Sequence, residues 1–121
     1  MTDQQFHRLA PADAVPPGEM KQYTVEDRPV ALVNYEGELY AFEDICTHQF
    51  VHLTEGELLP GGKVKCPLHG ATFDVATGEA KSLPAVKGVP VHELKVEDGE
   101  VYVALNPERV KTGKRRRRRT G

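Results

Sequence analysis

Apolar residues recur along this chain in short bursts at every second position, and turn-forming residues interrupt them every few residues. Phe6-His7-Arg8-Leu9-Ala10 reads as a short edge strand, and Glu19 to Val25 as another. Between them, Pro11-Ala12-Asp13-Ala14-Val15 predicts a single helical turn, which Pro16-Pro17-Gly18 ends. Val30 to Tyr35 and Glu38 to Phe42 flank Glu36-Gly37, a hairpin that delivers the chain to Cys46. Pro60-Gly61-Gly62 marks a turn, and Lys63-Val64-Lys65-Cys66 alternates as a strand. Thr72 to Val75 and Glu79-Ala80 flank Ala76-Thr77-Gly78, a further hairpin. Leu94 and Val96 alternate with charges up to Asp98-Gly99, and Val101, Val103 and Leu105 alternate back, the strongest hairpin in the chain. Neither a repeat nor a long amphipathic helix is present, so the pattern predicts an all-β domain of small antiparallel sheets.

Length and charge refine this picture. At 121 residues the chain suits one domain with a modest core. No apolar run approaches the ~20 residues of a membrane span, and the N-terminus lacks a basic-then-apolar leader, so a cytoplasmic protein without membrane contact is expected. The formal net charge is −2, but Lys111, Lys114 and Arg115 to Arg119 put seven positive charges in the last eleven residues, which leaves the rest at −9. The chain therefore divides into an acidic body, 1–110, and a basic tail, 111–121, expected to be disordered and solvated because five arginines repel with nothing apolar to bury. No aromatic is interleaved there to stack on bases, so nucleic acid is not the expected partner.

The candidate chemistry lies in one stretch. Cys46-Thr47-His48 and Cys66-Pro67-Leu68-His69-Gly70 hold the two cysteines of the chain, each followed closely by a histidine. Two thiolates and two imidazoles in paired loops favour a metal over a disulfide. Neither loop completes a metal shell alone, so the intervening excursion must fold back. Cys₂His₂ ligation is first a zinc signature, but zinc fingers group cysteines together and histidines together. Here each loop supplies one of each, which suits a binuclear [2Fe–2S] centre with both sulfurs on one iron and both imidazoles on the other. His52 is a weaker alternative ligand, and His7 and His92 read as surface residues on strands. Tyr23, Tyr35, Tyr40 and Tyr102 read as sheet-packing residues.

Cys46-x-His48 … Cys66-x-x-His69 resembles the motif of the Rieske [2Fe–2S] family, and the resemblance extends over nearly the whole body. Acidic residues and Ile45 before the first loop, the Gly-rich turns between the loops and Phe73 to Glu79 after the second all fit. In size the chain is similar to the small Rieske-type ferredoxins of bacterial ring-hydroxylating dioxygenase systems. The resemblance implies that Cys46 and Cys66 bind one iron and His48 and His69 the other, nearer the protein tip. It also implies a base of β-sheets with a smaller cluster-binding subdomain inserted, here about 43–85.

Departures from the high-potential branch of that family are informative. Respiratory Rieske proteins carry an extra, disulfide-forming cysteine in each loop, where this chain has Val51 and Leu68. They also have Ser and Tyr hydroxyls donating to cluster sulfurs, where this chain has Ala71 and Phe73. A hydrogen bond to a charged group contributes about 1.5–3 kcal/mol, so each missing donor lowers a one-electron potential by at most roughly 65–130 mV. Within a family span of about −150 to +300 mV, a low-potential centre is expected.

Nothing in the chain looks catalytic: it has no nucleophile motif, no phosphate-cradling loop and no 2-His-1-carboxylate set. The expectation is a monomeric one-electron carrier, taking electrons from a flavin-containing, NAD(P)H-dependent ferredoxin reductase and passing them to a terminal oxygenase. Phe50, Pro67 and Leu68 are the expected apolar rim around the outer histidines. The rival readings are the Rieske-like small subunit of a nitrite reductase and a structural zinc-binding interaction module.

Overall fold

In the computed structural model, which describes residues 5–45, 51–67, 70–81 and 88–107, the strand Arg28–Tyr35 (β3) is buried along almost its whole length. It lies in the middle of a three-stranded antiparallel sheet, between Met20–Val25 (β2) and Glu38–Glu43 (β4). Successive side chains of a strand point to opposite faces. Ala31 and Val33, with Phe42 from β4, therefore enter one apolar core. Val30 and Leu32, with Ala41, enter another. The unbroken run Val30-Ala31-Leu32-Val33 is the signature of a strand covered on both sides.

A second sheet closes the Val30 face. It has Phe6–Pro11 (β1) and Glu93–Glu97 (β8) on either side of Glu100–Ala104 (β9), whose Val101 and Val103 fill the core with Val15 and Val25. A third sheet, Glu57–Leu59 (β5), Lys63–Lys65 (β6) and Thr72–Asp74 (β7), is built by the chain between β4 and β8. Its Val64, Cys66 and Phe73 pack on the Ala31 face. The expected all-β architecture of small antiparallel sheets is thus the observed one.

Among the described residues, three hairpins have two-residue turns in which both residues take positive φ. Glu36-Gly37 and Asp98-Gly99 were legible from their glycines. The link between β2 and β3 is Glu26-Asp27, which adopts φ of 50° and 65° with no glycine at all. Pro11 to Val15 makes no helix: Pro11 ends β1, and the Ala14 N–H donates to the Pro11 carbonyl at 3.0 Å in a simple turn. β5 and the short 3-10 turn Leu53–Glu55 had no clear sequence signal.

The chain leaves β4 and returns to β8 along the same line. The Glu43 N–H donates to the Pro90 carbonyl at 2.9 Å, and the His92 N–H donates to the Ala41 carbonyl at 2.9 Å. His92, expected at the surface, is in fact 3% exposed. The correction has a local reason: its position facing Ala41 turns the ring into the space between the first two sheets. There its Nδ1 accepts the Asn106 N–H at 3.0 Å, so the ring hydrogen sits on Nε2, 3.3 Å from Glu43 Oε1.

Glu43 is 1% exposed and receives Arg28 from the neighbouring strand, Nε at 3.1 Å and Nη2 at 2.9 Å on one oxygen. Arg28 Nη1 donates onward to the Asn106 carbonyl at 2.7 Å. Burial opposes ionisation of Glu43, but His92 and Arg28 outweigh it and hold the carboxyl below its ordinary value of 4.5. A carboxyl with a depressed pKa adds stability above its unfolded value, and that contribution is lost as the pH falls through the folded one. Glu43→Gln, which removes the negative charge facing a buried guanidinium, is expected to cost about 3–5 kcal/mol at neutral pH. In urea denaturation of wild type and variant across pH, that gap should shrink as the pH drops below about 4.5; a gap independent of pH would contradict the assignment.

Candidate metal centre

The pairing of β5 with β6 brings the chain leaving the first metal loop against the strand entering the second. Glu57 lies opposite Lys65, so Gly56 falls across from the Lys65–Cys66 peptide where the second loop begins. The approach is close enough to require glycine: a Cβ at Gly56 would lie 1.8 Å from the Lys65 carbonyl oxygen.

β6 and β7 then form the hairpin that carries the second loop. The Cys66 N–H donates to the Ala71 carbonyl at 2.7 Å, and the Gly70 N–H donates back to the Cys66 carbonyl at 3.2 Å. The backbone of Cys66 is thereby fully engaged. Its side chain, a free thiol 1% exposed, sits in the core with Leu53, Val64, Ala71 and Phe73. Pro67, the next residue, is exposed. A cleft of about 590 Å³ runs past this corner between Glu55, Gly56, Lys65 and Pro67.

Of the expected ligands, only Cys66 lies among the described residues; Cys46, His48 and His69 lie outside them, as do Phe50 and Leu68 of the expected rim. Among the described residues, no group of three or more His, Cys, Asp or Glu side chains is placed to hold a metal ion, so none competes with the paired loops. A buried thiol in an apolar hairpin, drawn from a set of two thiolates and two imidazoles, fits an iron–sulfur cluster better than a hard cation. Ala71 and Phe73 are both fully buried beside it and carry no hydroxyl to donate towards a cluster sulfur.

The first loop departs from Asp44, a residue 0% exposed. The Asp44 N–H donates to the Pro29 carbonyl at 2.9 Å, which fixes the end of β4 to the central sheet. Its carboxylate accepts the Thr54 N–H at 2.8 Å, the Thr54 hydroxyl at 2.6 Å and the Gln22 amide at 2.7 Å. Burial pushes this carboxyl up, against the pull of those hydrogen bonds and of His52 nearby. His52, considered as a substitute ligand, has its Nδ1 2.8 Å from the Asp44 carbonyl, to which it donates. Sequence reasoning missed the structural parts of Asp44, Thr54, Gln22 and Gly56.

The other end of the third sheet is tied down as well. Asp74 Oδ1 accepts the Ala76 and Thr77 N–H groups at 2.8 and 3.1 Å, closing the turn after β7. The Val89 N–H donates to the Gly78 carbonyl at 2.8 Å, joining that turn to the returning chain.

The Rieske [2Fe-2S] domain matches residues 5–93. The biphenyl dioxygenase ferredoxin subunit of a Pseudomonas species is 39% identical over 98 residues, covering 81% of this chain and 90% of that one. The solved ferredoxin of carbazole 1,9a-dioxygenase from Nocardioides aromaticivorans superimposes with a TM-score of 0.80 at 30% identity, over 84% of this chain and 99% of that one. The ferredoxin solved in complex with the reduced oxygenase of carbazole 1,9a-dioxygenase gives 0.78 at 36% identity, over 88% and 100%.

The tightest contact at the site generates a test. Gly56→Ala must displace either the 3-10 turn or the strand that leads into Cys66, and overpacking of this kind costs about 1–3 kcal/mol. The variant should melt several degrees lower and bind less iron per chain than wild type; unchanged melting and full iron content would refute the close packing.

Proposed function

The chain belongs to the Rieske [2Fe–2S] domain family, and from that premise we propose that it is the electron-transfer ferredoxin of an aromatic-ring-hydroxylating dioxygenase system. It carries one electron at a time from a flavin-containing, NAD(P)H-dependent ferredoxin reductase to a terminal oxygenase, and does no substrate chemistry itself. The single observation that carries the reading is the match of this chain to ferredoxins of such systems, over nearly their full length.

Cys46 and Cys66 would hold one iron, and His48 and His69 the other. When bound, the [2Fe–2S] cluster supplies a reversible one-electron couple. The protein's own part is to keep Cys66 dry, to hold the two loops together through the β5–β6 ladder, and to expose Pro67 at the corner where a partner docks. We place the cluster-bearing segment at about 43–85 within a domain of residues 1–110, and read 111–121 as a solvated basic tail. A cytoplasmic monomer suits this role; among the described residues no helix is long and apolar enough to cross a membrane. The buried Ala71 and Phe73, both without hydroxyls, support a low midpoint potential. The acidic body favours weak, salt-sensitive contacts with basic partner surfaces.

Purified protein should be brown-red, contain two irons and two acid-labile sulfides per chain, and give a Rieske-type EPR signal on reduction. Colourless protein with stoichiometric zinc would refute the carrier. Cys46→Ser, His48→Ala, Cys66→Ser and His69→Ala should each abolish that signal. A redox titration should give a midpoint below zero, and a value well above it would refute the low-potential reading. With a reductase and a ring-hydroxylating oxygenase, the protein should support NAD(P)H-driven turnover that slows as salt is raised.

A further inference from the structure

We propose that Asp44 is the positioning residue of the first metal loop. Its side chain and carbonyl tie residue 44 to residues 52 and 54, and so set the span across which Cys46 and His48 are presented. The proposal rests on the reading of Cys46 and His48 as ligands.

Five hydrogen bonds converge on this one residue, and they reach in two directions. Towards the base, its N–H donates to the Pro29 carbonyl at 2.9 Å, and Oδ2 accepts Gln22 Nε2 from β2 at 2.7 Å. Across the loop, Oδ1 accepts the Thr54 N–H at 2.8 Å, Oδ2 accepts the Thr54 hydroxyl at 2.6 Å, and the carbonyl accepts His52 Nδ1–H at 2.8 Å. The residues on either side of the loop are thus fastened to each other and to the central sheet by a group with no exposed surface.

The geometry asks for a carboxylate. Three donors share two oxygens, and an asparagine would offer one acceptor while turning an NH₂ towards the remaining donors. Thr54 has a dual part, because its backbone N–H would otherwise be an orphan of the short 3-10 turn. Removing its hydroxyl alone leaves that N–H bonded and isolates the side-chain contribution. Groups that orient metal ligands from behind typically change metal affinity by about 10–100-fold when lost.

The test uses the loaded protein and reads iron release to excess EDTA, together with the EPR spectrum after dithionite reduction. Asp44→Asn and Thr54→Val should release iron at least roughly tenfold faster and shift the g-values, whereas Thr54→Ser should restore both. Val101→Ala, a core deletion on the far side of the central sheet, should lower the melting temperature without altering release or spectrum. Wild-type release and spectra in Thr54→Val would overturn the proposal, and so would equal acceleration in Val101→Ala. If Asp44→Asn fails to assemble, Thr54→Val against Thr54→Ser decides the matter. Retention of the cluster by Cys46→Ser would instead overturn the ligand reading itself.

Discussion

Two buried carboxylates stand side by side at the end of β4, and the rest of the structure is arranged around them. Consecutive strand residues face opposite ways, so Glu43 points between the first two sheets while Asp44 points towards the metal loops. Glu43 meets Arg28 and His92; Asp44 meets Thr54 and Gln22, with His52 on its carbonyl. Isolated carboxylates are strongly disfavoured in an apolar interior and persist only where partners satisfy them. Each therefore fixes its surroundings: one clasps the base together, and the other joins the base to the loop that carries Cys46 and His48.

The central sheet explains why one strand end can serve both ends of the molecule. β3 buries Val30 and Leu32 on one side and Ala31 and Val33 on the other, so both cores share a single backbone layer. The third sheet, through Val64 and Phe73, packs directly on that layer. The paired exit and return at Glu43 and Pro90, with the Gly78–Val89 hydrogen bond beyond them, close the excursion into a unit held at its neck. That is the arrangement an electron carrier needs: a packed scaffold from which both metal loops start.

Much of this was legible in the chain. Alternation at Val101, Val103 and Leu105 and the glycines at positions 37 and 99 located strands and hairpins, because period-two burial and positive φ leave direct traces in residue type. The β2–β3 turn left none, since Glu26 and Asp27 adopt positive φ without glycine. β5 escaped because Glu57-Leu58-Leu59 is too short to show a period, and it exists through pairing with β6. His92 was misjudged for a related reason: a histidine beside Glu93 reads as polar surface, and only Glu43 and Asn106, distant in sequence, make its burial tolerable. The paired Cys-x-His and Cys-x-x-His loops stood out by spacing, whereas Asp44, Thr54 and Gly56 did not. Their parts depend on contacts with residues eight or more positions away, and no local pattern records those.

The buried pair also answers a difficulty that the apolar pattern creates. A strand apolar on both faces specifies its register weakly, because a shift by one residue exchanges one acceptable hydrophobic face for another. β3 is such a strand, and its partner β4 carries Ala41-Phe42 just before Glu43, a pair itself buried on both sides. Slipping β4 by one residue would turn Glu43 towards the metal loop and Asp44 towards Arg28. The shorter aspartate would fall away from the guanidinium, and the Thr54 and Gln22 donors would lose their fitted acceptor. Either loss leaves a buried charge or donor unpaired, at a cost of several kcal/mol, which is comparable with the whole stability of a small domain. The two carboxylates, costly to bury, thereby select the single register in which β4 ends at Glu43 and Asp44 meets Thr54 and Gln22.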